Sequence, residues 1–255
     1  MISKSQIKFI RLLQQKKHRA ESGLFIAEGD KLIKDLFHSE IKRIFLFAIK
    51  DFFVNAKSII PSPDNKCIFE ITPSELKKIS ALTTPNQVVG VFEIPKYQLN
   101  IDDLKNKLII ALEDICDPGN LGTIIRIANW FGISDVICSE KCVDVYNPKS
   151  IQATMGSIAR VRVHYTDIEK FFMKIKTFLP VYAATLDGEN IYSAKLFSSG
   201  IILIGNESKG ISAQLLRHTT NKIFIPTFSA NKPDSLNAAS ATAILCSEFR
   251  RRTIS

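Results

Sequence analysis

Three polar segments interrupt the apolar pattern of this 255-residue chain, and each holds side chains that could bind or activate a ligand. The first, EDICDPGNLGTIIRIANWFG (113–132), leads from an apolar stretch through a Pro-Gly-Asn turn into a helical pattern. Glycines in such a turn allow close backbone approach, and the N–H groups at the helix start can hold an anion. Arg126 follows among isoleucine and alanine, where a guanidinium extends to solvent, pairs with a carboxylate or faces an anionic ligand. The pattern alone fits either an ordinary strand–turn–helix or an anion site.

The second segment, IILIGNESKGIS (201–212), places Asn206 and Glu207 in a glycine-bounded loop directly after an apolar run. It nearly matches the phosphate-binding loop G-x-x-x-x-G-K-[ST], but Ile211 occupies the lysine position. Without that lysine the contact to the β- and γ-phosphates is missing, which argues against a nucleoside triphosphatase.

The third segment, IPTFSANKPDSLNAASATAIL (225–245), leads from the end of an apolar run into an alanine-rich helix. Ser235 is predicted to cap the start of this helix, with Asn237 and Ser240 in its first turns. All three segments follow predicted strands, and open α/β sheets bind ligands at the carboxyl ends of their strands.

Other chemistries have weaker support. Gly119 and Gly122 do not complete the dinucleotide fingerprint G-x-G-x-x-G, but Glu140 lies near the position of a ribose-binding acid, so a nicotinamide dehydrogenase stays open as an alternative. No G-x-S-x-G elbow is present, which leaves hydrolase chemistry without support. The five cysteines form no C-x-x-C motif and the four histidines lack zinc-ligand spacing, so we expect reduced thiols and no metal site.

The elements that must position these segments form two α/β domains. In the first, strands are predicted at 23–29, 41–47, 66–71 and 87–93, with helices at 30–37 and 72–80. Thr72, Pro73 and Glu75 form a helix-start pattern. This domain covers 1–95, and the loss of pattern after Pro95 predicts a linker at 96–106.

The second domain, 107–255, alternates strands and helices. The predicted strands are 107–113, 134–138, 161–165, 180–186, 200–205 and 221–226, and a helix at 236–252 closes the chain. The first and fifth strands are near-continuous apolar runs, as expected of strands in a parallel sheet covered on both faces. No apolar run reaches the ~20 residues of a membrane span and the charged N-terminus does not look like a signal peptide, so we expect a cytoplasmic protein.

The charge is uneven. The chain carries a net +9 with a pI near 9.3, which favours a polyanionic partner. Six basic residues and no acid lie in residues 1–20: Lys4, Lys8, Arg11, Lys16, Lys17 and Arg19. The apolar positions Ile7, Ile10 and Leu13 recur at helical spacing, which predicts an amphipathic helix whose basic face is either a nucleic-acid surface or a solvated one.

Together the three segments have a definite spacing. The positions are Asn120-x-Gly122-x-x-x-Arg126, then Gly205-Asn206-Glu207-x-x-Gly210, then Ile225-Pro226…Ser235-Leu236-Asn237-x-x-x-Ala241. In this order they resemble the three motifs of the SpoU/TrmH family of SPOUT-type RNA 2′-O-ribose methyltransferases, across about 107–250. Residues 4–37 are similar to that family's small ribosomal-protein-like substrate-binding domain.

The resemblance implies a fold and a cofactor. The fold is α/β: a parallel-sheet SPOUT domain with a deep trefoil knot, which no pattern argument predicts because knots are essentially absent from ordinary folds. The methyl donor is S-adenosylmethionine, bound largely by the backbone of three loops. Carried over by position, the cofactor-binding residues are Thr185, Leu186, Gly205, Ile225 and Leu236.

The resemblance also implies a role for Arg126. In the family the matching arginine is proposed as the base that deprotonates the 2′-hydroxyl, although arginine stays protonated in proteins and stabilises a developing alkoxide more easily. The resemblance assigns Asn120, Glu207, Ser235 and Asn237 to positioning the arginine and the ribose. No metal is needed for this chemistry.

Several expectations remain open at this level. The substrate is RNA, with ribosomal RNA favoured over transfer RNA only by family analogy, and an inactive RNA-binding protein on the same fold is a further alternative. The family forms homodimers, and the candidates for the interface are Trp130, Phe131 and the apolar side of the C-terminal helix, with core packing as the other role of the two aromatic residues. The loop TFSANKPDS (227–235) lacks a glycine that family members often carry, which leaves the contacts to the methionine tail undefined.

Overall fold

The computed structural model of the chain describes residues 2–56, 67–231 and 235–252. Lys66, at the start of a predicted strand, and residues 232–234 of the predicted loop 227–235 lie outside these ranges. The chain divides into an N-terminal unit, Met1–Lys96 with Asp144–Ala159, and a C-terminal unit, Tyr97–Val143 with Arg160–Ser255. The sequence predicted two continuous domains. The structure differs at Asp144–Ala159, a segment from the second half of the chain that packs in the N-terminal unit.

The helices and strands closely follow the sequence pattern. Up to residue 96 they are α1 (Lys4–Leu12), α2 (Lys16–Ser22), β1 (Leu24–Glu28), α3 (Asp30–Phe37), β2 (Arg43–Ala48), α4 (Lys50–Asn55), β3 (Ile68–Glu70), α5 (Pro73–Ile79) and β4 (Val88–Glu93). Beyond it they are β5 (Leu108–Leu112), α6 (Pro118–Trp130), β6 (Asp135–Cys138), α7 (Pro148–Ala153), β7 (Arg162–Tyr165), α8 (Ile168–Ile175), β8 (Val181–Asn190), β9 (Gly200–Ile204), α9 (Ala213–Leu216), β10 (Asn221–Phe224) and α10 (Ala238–Arg251). The helix α4 was not predicted.

The N-terminal unit contains a four-stranded sheet in the order β1-β4-β2-β3. Strand β4 pairs antiparallel with β1 and β2, and β3 pairs parallel with β2. The predicted start of α5 is confirmed: Thr72 Oγ1 accepts from the Glu75 N–H at 3.2 Å, and Glu75 Oε2 accepts from the Thr72 N–H at 2.9 Å. This reciprocal cap satisfies two backbone donors that a helix start leaves free.

The sequence predicted one basic helix over residues 1–20. This is wrong in the number of helices, because the chain turns between α1 and α2. Arg19 closes this turn. Its side chain is 2% exposed, donates to the carbonyl oxygens of Leu13 and Gln14 at 2.9 and 2.8 Å, and pairs with Asp144 at 2.6 Å. A buried guanidinium needs such partners, so Arg19 does not belong to the exposed basic face.

The C-terminal unit contains a six-stranded, all-parallel sheet in the order β10-β8-β9-β5-β6-β7. This confirms the parallel α/β sheet, and every residue of β5 and β9 is buried, as their apolar sequences predict. From β5 the chain first builds β6 and β7 on one side and then returns to place β9 on the other. The carboxyl ends of β5 and β9 therefore flank the point where the strand order reverses, which is the ligand-binding place of open α/β sheets.

Strand β8 runs unusually close to β10. A Cβ built on Gly188 would lie 2.4 Å from the carbonyl carbon of Lys222, so only glycine fits there. Beyond it the pairing continues with the Ile191 N–H donating to the Phe224 oxygen at 2.9 Å. The register of this parallel pair shifts between Lys222 and Ile223, and the pairing beyond the shift holds the carboxyl ends of β8 and β10 side by side.

The last helix, α10, is tied to its neighbours by arginines. Arg250 Nε donates to the carbonyl of Phe131 at 2.8 Å, and Arg252 donates to the carbonyls of Ile191 and Tyr192 at 3.1 and 2.9 Å. Both Arg251 and Arg252 bond the buried Glu248, and the hydrogen bond from Arg251 lowers the pKa of Glu248 to about 2. These bonds fix the helix that Asn237 precedes. Among the described residues no helix has the length and hydropathy needed to cross a bilayer.

Candidate active site

The ends of β5, β6 and β9 are joined through Asp114. The Asp114 carbonyl accepts from Asn206 Nδ2 at 2.7 Å, and its carboxylate accepts from Ser139 Oγ at 2.6 Å. Ser139 Oγ also accepts from the Asp114 N–H at 2.9 Å. Asp114 has φ +54, a left-handed conformation that costs energy for a non-glycine residue, and these three bonds hold it there.

The loop after β9 is closed by glycine and by Asn206. Asn206 and Gly210 exchange two backbone hydrogen bonds of 3.0 and 2.9 Å, while Asn206 Oδ1 accepts from the N–H groups of Ser208 and Lys209. A Cβ on Gly205 would lie 2.3 Å from the carbonyl carbon of Gly210, so a side chain there would force the loop open. The result is a compact loop that presents Glu207.

Helix α6 presents Asn120 from its first turn. Asp117 caps this helix, accepting from the Asn120 N–H at 2.7 Å, and Pro118 follows at the first helical position. The Asn120 side chain donates from Nδ2 to Glu207 Oε1 at 2.9 Å and accepts at Oδ1 from Asn237 Nδ2, also at 2.9 Å. One residue from each of the three polar segments thus joins a single hydrogen-bonded row, which we name the Asn120–Glu207–Asn237 triad.

Asn237, not Ser235, caps α10, so the predicted cap is wrong by two residues. Asn237 Oδ1 accepts from the N–H groups of Ala239 and Ser240 at 3.0 and 3.2 Å. The asparagine amide accepts these bonds at its oxygen while its Nδ2 donates to Asn120. The cap therefore fixes the Asn237 amide in the orientation that the triad uses.

Arg126 and Ser235 lie outside the triad's hydrogen bonds. Arg126 is exposed on α6, six residues after Asn120 and therefore roughly 9 Å further along the helix axis. Within the part of the chain that the structure describes, neither side chain forms a hydrogen bond or ion pair. The Arg126 guanidinium keeps its donors available for an anionic ligand.

The residues predicted to bind S-adenosylmethionine lie within or just after three neighbouring strands and just before α10. Thr185 and Leu186 lie in β8, Gly205 follows β9, and Ile225 follows β10. Leu186 and Leu236 are 78% and 48% exposed. Large apolar side chains left open beside backbone polar groups fit an adenosine, whose ring has apolar faces and a polar edge. The residues present therefore fit the cofactor.

Sequence reasoning missed Ser139 and the cap formed by Asp117. Both had a signal, since Asp117 precedes Pro118 at a helix start and Ser139 directly follows a predicted strand next to β5. No group of three or more His, Cys, Asp and Glu side chains within 2–56, 67–231 and 235–252 is arranged to hold a metal ion.

Trp130, the last residue of α6, is 83% exposed, so core packing is not its role. Phe131 is half-buried and its carbonyl is bonded by Arg250 of α10.

Profiles of known families match both parts of the chain. The SpoU rRNA Methylase family matches residues 107–247, and the MRM3-like substrate binding domain matches residues 4–90. The 23S rRNA (guanosine(2553)-2′-O)-methyltransferase RlmP of Bacillus subtilis is 26% identical over 96% of this chain and 96% of its own length.

Solved structures of related proteins superpose on nearly the whole chain. A putative RNA methyltransferase of the TrmH family from Porphyromonas gingivalis is 35% identical with a TM-score of 0.87, covering 99% of each chain. An AdoMet-bound rRNA methyltransferase from Sinorhizobium meliloti is 32% identical with a TM-score of 0.85, covering 100% of this chain and 98% of its own. With its three motif segments joined in one site and more than half its length matched by the family profile, the chain belongs to the SpoU rRNA methylase family.

Proposed function

We propose that the chain transfers the methyl group of S-adenosylmethionine to a ribose 2′-hydroxyl of structured RNA, with ribosomal RNA as the substrate. The Asn120–Glu207–Asn237 triad carries the proposal, because it joins the three family motifs beside a surface that fits the cofactor. The cofactor in the Sinorhizobium meliloti relative and the reaction in the name of the Bacillus subtilis relative support it.

S-adenosylmethionine supplies an activated methyl group, so the protein needs to align the acceptor oxygen and assist loss of its proton. The backbone at Thr185, Leu186, Gly205, Ile225 and Leu236 would hold the cofactor. The exposed side chains of Leu186 and Leu236 would cover the adenine faces.

The triad and Arg126 have different roles at the ribose and its phosphate. Glu207 accepts from Asn120, so a carboxylate oxygen remains to accept from a ribose hydroxyl. Arg126 binds the adjacent phosphate and stabilises the negative charge that develops on the 2′-oxygen. Ser235, exposed just before α10, would contact the substrate.

We also propose that the C-terminal unit carries the family's trefoil knot. The close passage of Gly188 against Lys222 and the continued pairing of Ile191 with Phe224 support a threaded chain in this region. Such a knot would bring loops from three strands to one cofactor.

Five exposed basic residues form the proposed RNA surface, which we name the basic face: Lys4, Lys8, Arg11, Lys16 and Lys17. The first three share one side of α1 and line a groove of about 270 Å³ together with Ile7 and Leu12. Arg11 Nε donates to the carbonyl of Lys78 at 2.7 Å, which ties α1 to α5. A preformed basic groove fits a phosphate backbone.

Replacing the five residues of the basic face by glutamine should weaken RNA binding and flatten its salt dependence. The slope of log K against log salt is negative, and it becomes shallower by about 0.7 to 0.9 for each phosphate that the variant no longer neutralises. Binding isotherms at four salt concentrations measure the slope, and S-adenosylmethionine affinity should not change. Replacing Lys174 and Lys176, exposed in and after α8, is the control. Equal slopes for parent and variant would show that the face is merely solvated.

The proposal is tested by incubating the full chain with labelled S-adenosylmethionine and RNA from cells that lack the gene. Label in ribosomal RNA supports the proposal, and label in transfer RNA alone shifts the substrate to the alternative. RNA binding without cofactor binding would indicate an inactive binding protein, and nicotinamide binding would indicate an oxidoreductase.

We further propose a homodimer in the cytoplasm. Exposed Trp130 on α6, next to α10, supports an interface between two copies, and five free cysteines support a reducing compartment. A monomer in sedimentation at micromolar concentration contradicts the dimer.

A further inference from the structure

A cavity of about 330 Å³ lies within the N-terminal unit, between β1, the turn after α5, and α7. Its volume is within the ~300–1,000 Å³ range of small-molecule sites. Ile26, Leu82, Pro148 and Ile151 give it apolar walls. None of the residues assigned to methyl transfer lines it.

One buried charge faces this cavity. Glu28, at the end of β1, is 5% exposed and lines the pocket. Ser80 Oγ donates to its Oε2 at 2.5 Å and the Ala81 N–H donates to its Oε1 at 2.6 Å. A carboxylate has about four acceptor sites, so each oxygen retains one. Burial raises the pKa of Glu28 even against these two bonds, and none of the ion pairs among the described residues includes it.

Two further polar groups line the same cavity. Gln152 of α7 is half-buried and brings an amide, while Lys149 is exposed and brings a cation. The set comprises fixed acceptors, an adjacent donor, apolar walls and one positive charge. A nucleotide with a flat base and a phosphate has the complementary groups.

We infer that this cavity binds an unpaired guanine of the RNA substrate, at a site separate from the methylated ribose. Guanine carries adjacent N1–H and N2–H donors that the Glu28 carboxylate accepts, and its O6 accepts from the Gln152 amide. The apolar walls cover the faces of the base, and Lys149 contacts its phosphate. The inference rests on the proposed RNA substrate, and it gives the N-terminal unit a means of reading sequence beside the basic face, whose phosphate contacts carry none.

The test uses the full chain labelled with ¹⁵N and titrated with guanosine 5′-monophosphate. The Ala81 amide should shift saturably because it donates to Glu28, and the Gln152 side-chain amide should shift with it. The monophosphates of adenosine, cytidine and uridine should bind at least about tenfold more weakly than guanosine 5′-monophosphate. A nucleotide bound elsewhere does not produce this pair of shifts.

Two variants and one control complete the experiment. Ala153→Leu fills the cavity from the end of α7, and Glu28→Gln removes one of its acceptors; each should weaken guanosine monophosphate binding about tenfold or more. Ala20→Leu, exposed on α2 outside the cavity, should bind like the parent. No saturable shift at Ala81, or parental affinity in a folded Ala153→Leu or Glu28→Gln, overturns the inference. Because the titration requires no methyl transfer, its failure is distinct from failure of the proposed function.

Discussion

Arg126→Ala is expected to reduce methyl transfer by about 100- to 1,000-fold, the usual cost of removing one preorganised donor to a developing oxyanion. The side chain is exposed on α6, bonded to no other described residue, and follows the turn that presents Asn120. Its loss should leave the fold and S-adenosylmethionine affinity intact, because the proposed cofactor surface lies on other elements. Single-turnover rates together with cofactor binding by calorimetry measure both quantities.

Two companion variants sharpen the result. Arg126→Lys keeps the charge but not the forked geometry, so it should recover only part of the rate if phosphate binding is bidentate. Arg217→Ala, an exposed arginine after α9, should behave like the parent. A rate for Arg126→Ala within about tenfold of the parent, a loss of only ~1.4 kcal/mol, would show that Arg126 is not central.

Asn120→Asp is the second large effect that we expect. The change places a carboxylate 2.9 Å from Glu207 Oε1, where an amide donor now lies, and like charges so close repel. The bond from Asn237 Nδ2 survives, since the new carboxylate still accepts from it. The Glu207 loop should therefore move away from α6, and displacement by about 1 Å costs on the order of 100-fold in rate.

The isosteric substitution Glu207→Gln tests the effect of the negative charge separately from the position of the loop. Its amide oxygen still accepts from Asn120, so the loop should stay in place while the charge is lost. Combining it with Asn120→Asp should recover part of the lost rate, because the repulsion disappears. Thr123→Ala, exposed on the same helix, is the control. If Asn120→Asp transfers methyl groups at the parental rate, the triad has no part in catalysis.

The sequence predicted the strands of both sheets well because buried parallel strands leave a strong apolar signal. Strands β5 and β9 are apolar throughout and lie at the predicted places. The convergence of the three polar segments also followed from their positions after strands. Capping chemistry was predictable at α5, where Thr72 and Glu75 have the spacing of a reciprocal cap.

Contacts between residues far apart in sequence could not be predicted from local sequence patterns. Residue type does not decide between Ser235 and Asn237 as the cap of α10, since both are favoured cap residues, and the bond from Asn237 to Asn120 joins residues 117 apart in sequence. Arg19 looked like its basic neighbours, yet it pairs with Asp144, 125 residues later. For the same reason the assignment of Asp144–Ala159 to the N-terminal unit could not be read from periodicity, because it depends on tertiary packing.

We expect this chain to methylate a ribose 2′-oxygen in ribosomal RNA, and nucleoside analysis tests this function most directly. Ribosomal RNA from cells lacking the gene is incubated with the chain and methyl-labelled S-adenosylmethionine, digested to nucleosides and separated by chromatography with mass detection. We predict label in one 2′-O-methylnucleoside, with the extra mass on the ribose and not on the base, and its absence with Arg126→Ala. Label on a base, or no label in any RNA while the cofactor is bound, would contradict the account.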